Sequence, residues 1–329
     1  MSTPHHPRRG SIGYYHRKRK PGLKSSIRSW PEIEGNPKIQ SFAGYKVGMT
    51  HVEMVDYRKA STTAGRNIMA AVTVVEVPPA KVVAMRGYRE SEDGLRIAYE
   101  KWADNLDKSI FKVILESKER KESAVPDDIC EVRVIMMVTP EEITGVPKKV
   151  PELYETRVGG SNIEARLKYA QDKLGKEVLF TDFSKTGNFV DVISVTKGKG
   201  FTGHVERFGV KLLPKKNRKH RRMIGTLGPW HPDWVRWQVP QAGQMGSHQR
   251  TQHNMRVLKY AKSQGNDDIN VKGGFVNYGL VRTNYVLVHG SIPGSIKRLI
   301  KFRDPARQKS PSVDNIQLAY VSRESKQGD

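Results

Sequence analysis

Between Thr196 and Tyr260 the chain carries 14 Lys/Arg against two acids, Glu206 and Asp233, together with five histidines and Trp230, Trp234 and Trp237. Cations at this density repel one another in water, and a compact domain cannot bury them without partners. Contact with a polyanion relieves both problems. Lys199, Arg207, Lys211, Lys215, Lys216, Arg218, Lys219, Arg221 and Arg222 suit phosphate contacts, which position a protein without reading sequence. Arginine can also stack on unpaired bases and fork onto phosphate, which lysine cannot. His220, His231 and Arg236 extend the same set, as donors or stacking groups. Trp230 lies between Pro229 and His231–Pro232, so its indole is stiffly presented. Stacked on a base it is worth about 1–3 kcal/mol. Trp234 and Trp237 are expected to pack the base of this loop while Trp230 faces RNA. Gln241, Gln244, His248, Gln249 and Arg250 form a polar run whose amides offer donor and acceptor together, fitted to irregular RNA.

Other chemistry fits these residues poorly. Gly198, Gly200 and Gly203 spell G-x-G-x-x-G after a predicted strand, but Gly209 and Pro214 leave no room for a long helix. The position about 20 residues on, where a ribose-binding acid belongs, is basic. A tight glycine turn flanked by Lys197 and Lys199, with backbone N–H groups open to phosphate, is the better reading. His248 and His253 lack a nearby cysteine pair, and the local positive charge disfavours a cation, so no metal is expected. Glu206, Asp233, Asp267 and Asp268 do not converge as a two-metal nuclease requires, and no nucleophile-elbow pattern occurs. The rival readings are an RNA-modifying enzyme with a basic groove and a free regulatory RNA-binding module. The expectation is a protein without catalytic residues or cofactor.

The full chain has 329 residues and a net charge of +23. Residues 1–30 hold eight Lys/Arg and no acid, whereas residues 81–185 hold 19 basic and 20 acidic residues. Basic stretches are thus attached to an ordinary globular body. Cys130 is the only cysteine, so no intramolecular disulfide is available. There is no apolar run long enough to span a membrane and no secretory signal pattern. A cytoplasmic protein with no stable homo-oligomer is expected.

Residues 1–38 read as an extended basic arm, with five prolines and no amphipathic period. Tyr14 and Tyr15 stand beside Arg8, Arg9, Arg17, Lys18, Arg19 and Lys20, which suits stacking combined with phosphate neutralisation. Strands are predicted in 69–77, 82–88, 130–138, 188–196 and 315–322, with a pair of short strands around Gly48 and a hairpin or strand pair in 276–292. The best helix is SNIEARLKYAQDKLG, capped by Ser161 or Asn162, with Ile163, Leu167, Ala170 and Leu174 on one face and Gly175 at its end. The expected fold is mainly β, a β-barrel-like body with an α/β insertion. The divisions are the arm at 1–38, a body at 39–84 and 181–329, an insertion at 85–180 and a basic internal loop at 205–260.

DVISVTKGKGFTGHVER resembles the signature of the ribosomal protein L three family, its elements falling on Asp191, Ser194, Thr196, Gly198, Lys199, Gly200, Gly203 and Arg207. FAGYKVGMTHV, IGTLGPWHPDWVRWQVPQAGQMGSHQRT and VKGGFVNYGLV are similar to the archaeal and eukaryotic branch of that family. The resemblance implies a large-subunit ribosomal protein bound to large-subunit rRNA early in assembly. Its body would be a translation-protein-like β-barrel with an inserted α/β domain, beside other large-subunit proteins near the factor-binding region. The arm and loop would reach toward the peptidyl transferase centre. Trp230 would lie near the loop tip, by the aminoacyl-tRNA corridor. The histidine that eukaryotic members modify corresponds here to Arg218, so that modification is not carried over.

Overall fold

β-branched runs bounded by Pro and Gly clusters form most of the regular structure, as pleated half-buried surfaces favour such side chains. A computed structural model describes residues 9–58, 60–114, 125–265, 268–307 and 316–327. In the first half of the chain the strands are β1 (Lys38–Ile39), β2 (Ser41–Val55), β3 (Asn67–Glu76), β4 (Ala80–Ser91), β5 (Gly94–Trp102), β6 (Glu131–Val138) and β7 (Glu152–Gly159). They are followed by β8 (Glu177–Val178), β9 (Phe189–Val195), β10 (Phe201–Thr202), β11 (Gly243–Gln244) and β12 (Gln249–Lys262). The last three are β13 (Asn284–His289), β14 (Leu299–Arg303) and β15 (Leu318–Val321). Three α-helices accompany them among the described residues: α1 (Ile163–Lys173), α2 (Phe180–Phe183) and α3 (His204–Phe208).

One sheet runs β14-β9-β12-β13-β3-β2-β15, and β14 also pairs with β2. A second runs β1-β7-β6-β4-β5, with β8 on β4, and β10 and β11 form a short ladder. The molecule is therefore mixed α/β with large β-sheets. The chain divides into two compact units. One takes in Val195–Arg250 and the described residues up to Leu23; the other comprises Lys24–Ser194 and Thr251–Asp329.

The larger unit holds the main apolar core. Val72, Val74, Val75, Val190, Val192, Val257, Val286 and Val288 are fully enclosed. The Phe180 ring meets Phe42, Phe183 and Phe302 edge-on at 5.6–5.8 Å, an arrangement that aromatic quadrupoles favour. Helix α1 starts as its sequence predicts: the Asn162 side chain accepts the Glu164 N–H at 3.1 Å, Ala170 is buried, and Gly175 follows at φ +75°.

Two predicted elements differ. Residues 41–55 form one continuous strand, with a register shift between Lys46 and Gly48 where two short strands were expected. A bulge absorbs the irregularity that Gly48 signals, and the strand continues. In 276–292 only β13 is a strand. The preceding residues turn back instead, because Tyr278 and Thr283 send their hydroxyls to the buried Glu76 carboxylate, at 2.5 and 2.7 Å. Burial, reinforced by Glu76, pushes the Tyr278 phenol well above its usual range, so it stays a donor.

The second sheet carries a row of arginines: Arg86 opposes Arg133, which opposes Arg157. Like charges in register would destabilise the sheet. Glutamates of the sheet separate them: Glu155 lies 3.6 Å from Arg86 and 3.2 Å from Arg133, and Glu131 lies 2.5 Å from Arg133 and 3.9 Å from Arg157, while Glu32 pairs with Arg157 from outside the sheet at 2.8 Å.

Asp191 on β9 organises the first sheet's end. Its side chain is fully enclosed and accepts from Arg303 Nη2, from His253 Nδ1 at 2.9 Å, and from the backbone N–H groups of Asn254 and Ala306 at 3.0 and 3.2 Å. Burial pushes this carboxyl up, but the four donors together outweigh it and hold it below the ordinary aspartate range.

Candidate nucleic-acid interface

The smaller unit is built without a large apolar core, so its order rests on backbone pairing and a few aromatic contacts. Thr196 and Lys199 donate backbone N–H groups to His248 and Met245, both at 2.9 Å, and Met245 donates to Gly200 at 2.8 Å. Phe201 and Thr202 then pair with Gln244 and Gly243. Gly246 is indispensable to this clamp: it stands at φ +73°, and a Cβ there would lie 1.9 Å from the Lys197 carbonyl. Helix α3 follows the glycine turn but ends after one turn at Gly209, φ +66°. That geometry lacks the long helix of a dinucleotide site.

The N-terminal arm joins this clamp. The Tyr15 ring stands edge-on to Trp237 with centroids 4.8 Å apart and lies 5.8 Å from Phe208. The Tyr15 hydroxyl donates to the Val239 carbonyl at 2.6 Å. Arg17 covers Phe208 at 4.2 Å and donates to the Arg207 carbonyl, while Arg250 covers Tyr14 at 4.6 Å. Arg207 in turn donates to the carbonyls of Gln244 and Gln241 at 3.1 and 2.9 Å. Lys20 N–H reaches Ser247 O at 2.8 Å. Carbonyls and ring faces thus take the place of acids around three guanidinium groups.

His248 shows the electrostatic result. Burial, then the fields of Arg250, Arg17 and Arg207, lower its pKa against the opposing pull of Lys18 O. A neutral ring at neutral pH follows, with Nδ1–H assigned to the Lys18 carbonyl at 2.9 Å and Nε2 left an acceptor. Burial also lowers Arg17 and Arg250, and the field of Arg207 adds to the effect on Arg17.

The sequence-predicted site residues therefore separate into two sets. Tyr15, Arg17, Lys20, Arg207, Gln244 and Arg250 are half-buried, and His248 is buried; all take part in the clamp. Arg9, Tyr14, Lys18, Arg19, Lys197, Lys199, Lys211, Lys215, Lys216, Arg218, Lys219, His220, Arg221, Arg222, Trp230, His231 and Arg236 are exposed. Tyr14, though exposed, lies under Arg250. Arg8 and Asp267 lie outside the described residues. Lys199 is paired with Glu206 at 2.8 Å. Trp230 is 89% exposed. Trp237 packs against the arm as part of the loop base, but Trp234 does not pack and is 70% exposed. Residues three apart share a face on a helix, and the segment that carries Trp234 and Trp237 is irregular. Phe201 carries no charge and sits among glycines, so its sequence gives no sign of a site; it is 80% exposed. Among the described residues, no cluster of three or more His, Cys, Asp or Glu could hold a metal ion, and no helix is long and apolar enough to cross a membrane.

The sequence stretches of the smaller unit, Met1–Leu23 and Val195–Arg250, carry 18 Lys/Arg against two acids. A β-rich chain with stretches this basic has the charge pattern of proteins that bind nucleic acid. The chain is a member of the ribosomal protein L3 family, whose model matches residues 1–124 and 112–328. It is 61% identical to the large ribosomal subunit protein uL3 of Picrophilus torridus over 329 residues, covering all of both chains. It is 62% identical to that of Thermoplasma volcanium, also over both full chains. With the Archaeoglobus fulgidus protein of the same name it shares 48% identity over 98% of this chain and 99% of the other.

Proposed function

We propose that this chain is a structural constituent of the large ribosomal subunit in the cytoplasm, of archaeal type, and that it binds large-subunit rRNA without catalysing a reaction. The observation that carries the reading is the concentration of 18 Lys/Arg against two acids in the stretches of one unit, in a member of a ribosomal family. Exposed Lys211, Lys215, Lys216, Arg218, Lys219, Arg221 and Arg222 take phosphates; Arg207, Arg17 and Arg250 hold the arm and loop in a shape that rRNA meets ready-made. The family resemblance adds early binding during assembly, neighbouring large-subunit proteins near the factor-binding region, and an arm and loop directed toward the peptidyl transferase centre. The pairing of β14 with both β9 and β2 supports reading the first sheet as the family's translation-protein-like barrel. In that reading residues 39–84 and 181–329 form the body and 85–180 the insertion.

Sedimentation of cell extract at low and high salt tests the assignment. Salt-resistant migration with the large subunit is the expected result; a position near the top of the gradient at both salts would overturn it. For the finer placement, Trp230→Ala is expected to leave assembly nearly intact and slow aminoacyl-tRNA accommodation, because the exposed indole supports no contact within the protein's core. Unchanged elongation kinetics would remove Trp230 from the tRNA corridor.

A further inference from the structure

Phe201 presents an aromatic ring to the outside from a segment that is otherwise clamped. Its strand neighbour Thr202 turns inward, with a buried hydroxyl, so strand alternation directs Phe201 outward. The ladder to Gln244 and Gly243, together with the Lys199–Met245 and Met245–Gly200 hydrogen bonds, fixes the backbone on both sides of it. The ring is 80% exposed, and among the described residues only Trp230 offers a large apolar side chain more openly. No aromatic ring or cation of the described residues lies on its faces. Lys197 and Lys199 precede it and Arg207 follows, with Glu206 the only acid between Val195 and Phe208.

Leaving a phenylalanine in water forgoes the favourable transfer of most of its surface. A hydrophobic protein partner is disfavoured here, because cations at an interface core must be desolvated. A nucleotide avoids that conflict: its base covers the ring while its phosphate meets the neighbouring lysines, Lys199 exchanging Glu206 for it. The geometry points to Phe201 as a stacking platform for one unpaired base of rRNA, held by the clamped glycine turn. This rests on the rRNA-binding reading above. It assigns to the glycine turn a base contact in addition to the phosphate contacts expected from Lys197 and Lys199.

The test compares the full-length wild type, F201A and F201Y on large-subunit rRNA, measuring affinity across a salt series and base reactivity to dimethyl sulfate. F201A is expected to bind on the order of 5- to 150-fold more weakly, the range a stacked base supplies. Its salt dependence should match the wild type, since every phosphate contact remains, and one protected base should become reactive. F201Y should restore both affinity and protection. If the wild type binds rRNA while F201A equals it in affinity and footprint, this inference falls alone. Failure of F201Y to rescue a weakened F201A would also overturn it, as would a photo-crosslink from position 201 in assembled subunits that joins protein and not RNA. If the wild type itself fails to bind rRNA, the wider reading falls first and takes this one with it.

Discussion

Asp191→Ala is expected to destabilise the larger unit by about 3–5 kcal/mol, the cost typical of removing one partner of a buried ion pair. Arg303 would keep its bonds to Ser29 but lose its carboxylate partner in the enclosed site, and two backbone N–H groups and His253 would lose their acceptor at the same time. Denaturant unfolding of wild type and variant measures the difference. A loss below about 1 kcal/mol would mean that water or a shifted side chain replaces the carboxylate. The pH dependence has a definite sign. Because the folded carboxyl titrates below its unfolded value near 3.9, its contribution is complete above that pH and is lost as pH falls through the lower folded value. Asp191→Asn should therefore be less stable at neutral pH and show a shallower loss on acidification.

Replacing Arg218, Arg221 and Arg222 together by Gln is expected to reduce the slope of log affinity against log salt by about 2–3, at roughly 0.7–0.9 for each phosphate contact. All three side chains are exposed and pair with no acid among the described residues, so folding should be little changed; Arg221 gives up a 3.3 Å hydrogen bond to the Leu213 carbonyl. Occupancy of the variant in purified large subunits should fall in parallel. An unchanged slope with full occupancy would show that this cluster faces solvent. Arg218 is an informative member because it stands at φ +47°, where the chain changes direction within the run.

Local rules made part of this structure legible. The Asn162 cap, the Gly175 stop and the valine-rich strands follow from short-range propensity and periodicity. The concentration of charge was equally plain. The bulge at Gly48 is not legible in the same way, because a glycine signals a break in regular geometry without saying whether the strand resumes. Pairing of Tyr15 with Trp237, or of Asp191 with Arg303, depends on which distant segments the topology brings together, and no local pattern encodes that. For the same reason a sequence that shows where cations are dense cannot divide them into Arg17, Arg207 and Arg250, which hold the arm and loop together, and those left exposed.

The hydrogen bond from Tyr15 to Val239 also has a consequence in time. Its partners are 224 residues apart, and Tyr15 leaves the ribosome that makes it long before Val239 exists. At about 5–20 residues per second, the arm waits roughly 10–45 s for the segment that completes its fold. Throughout that interval Tyr15 lacks the carbonyl that its hydroxyl meets in the finished protein. The arm therefore completes its fold only after most of the intervening chain has been translated.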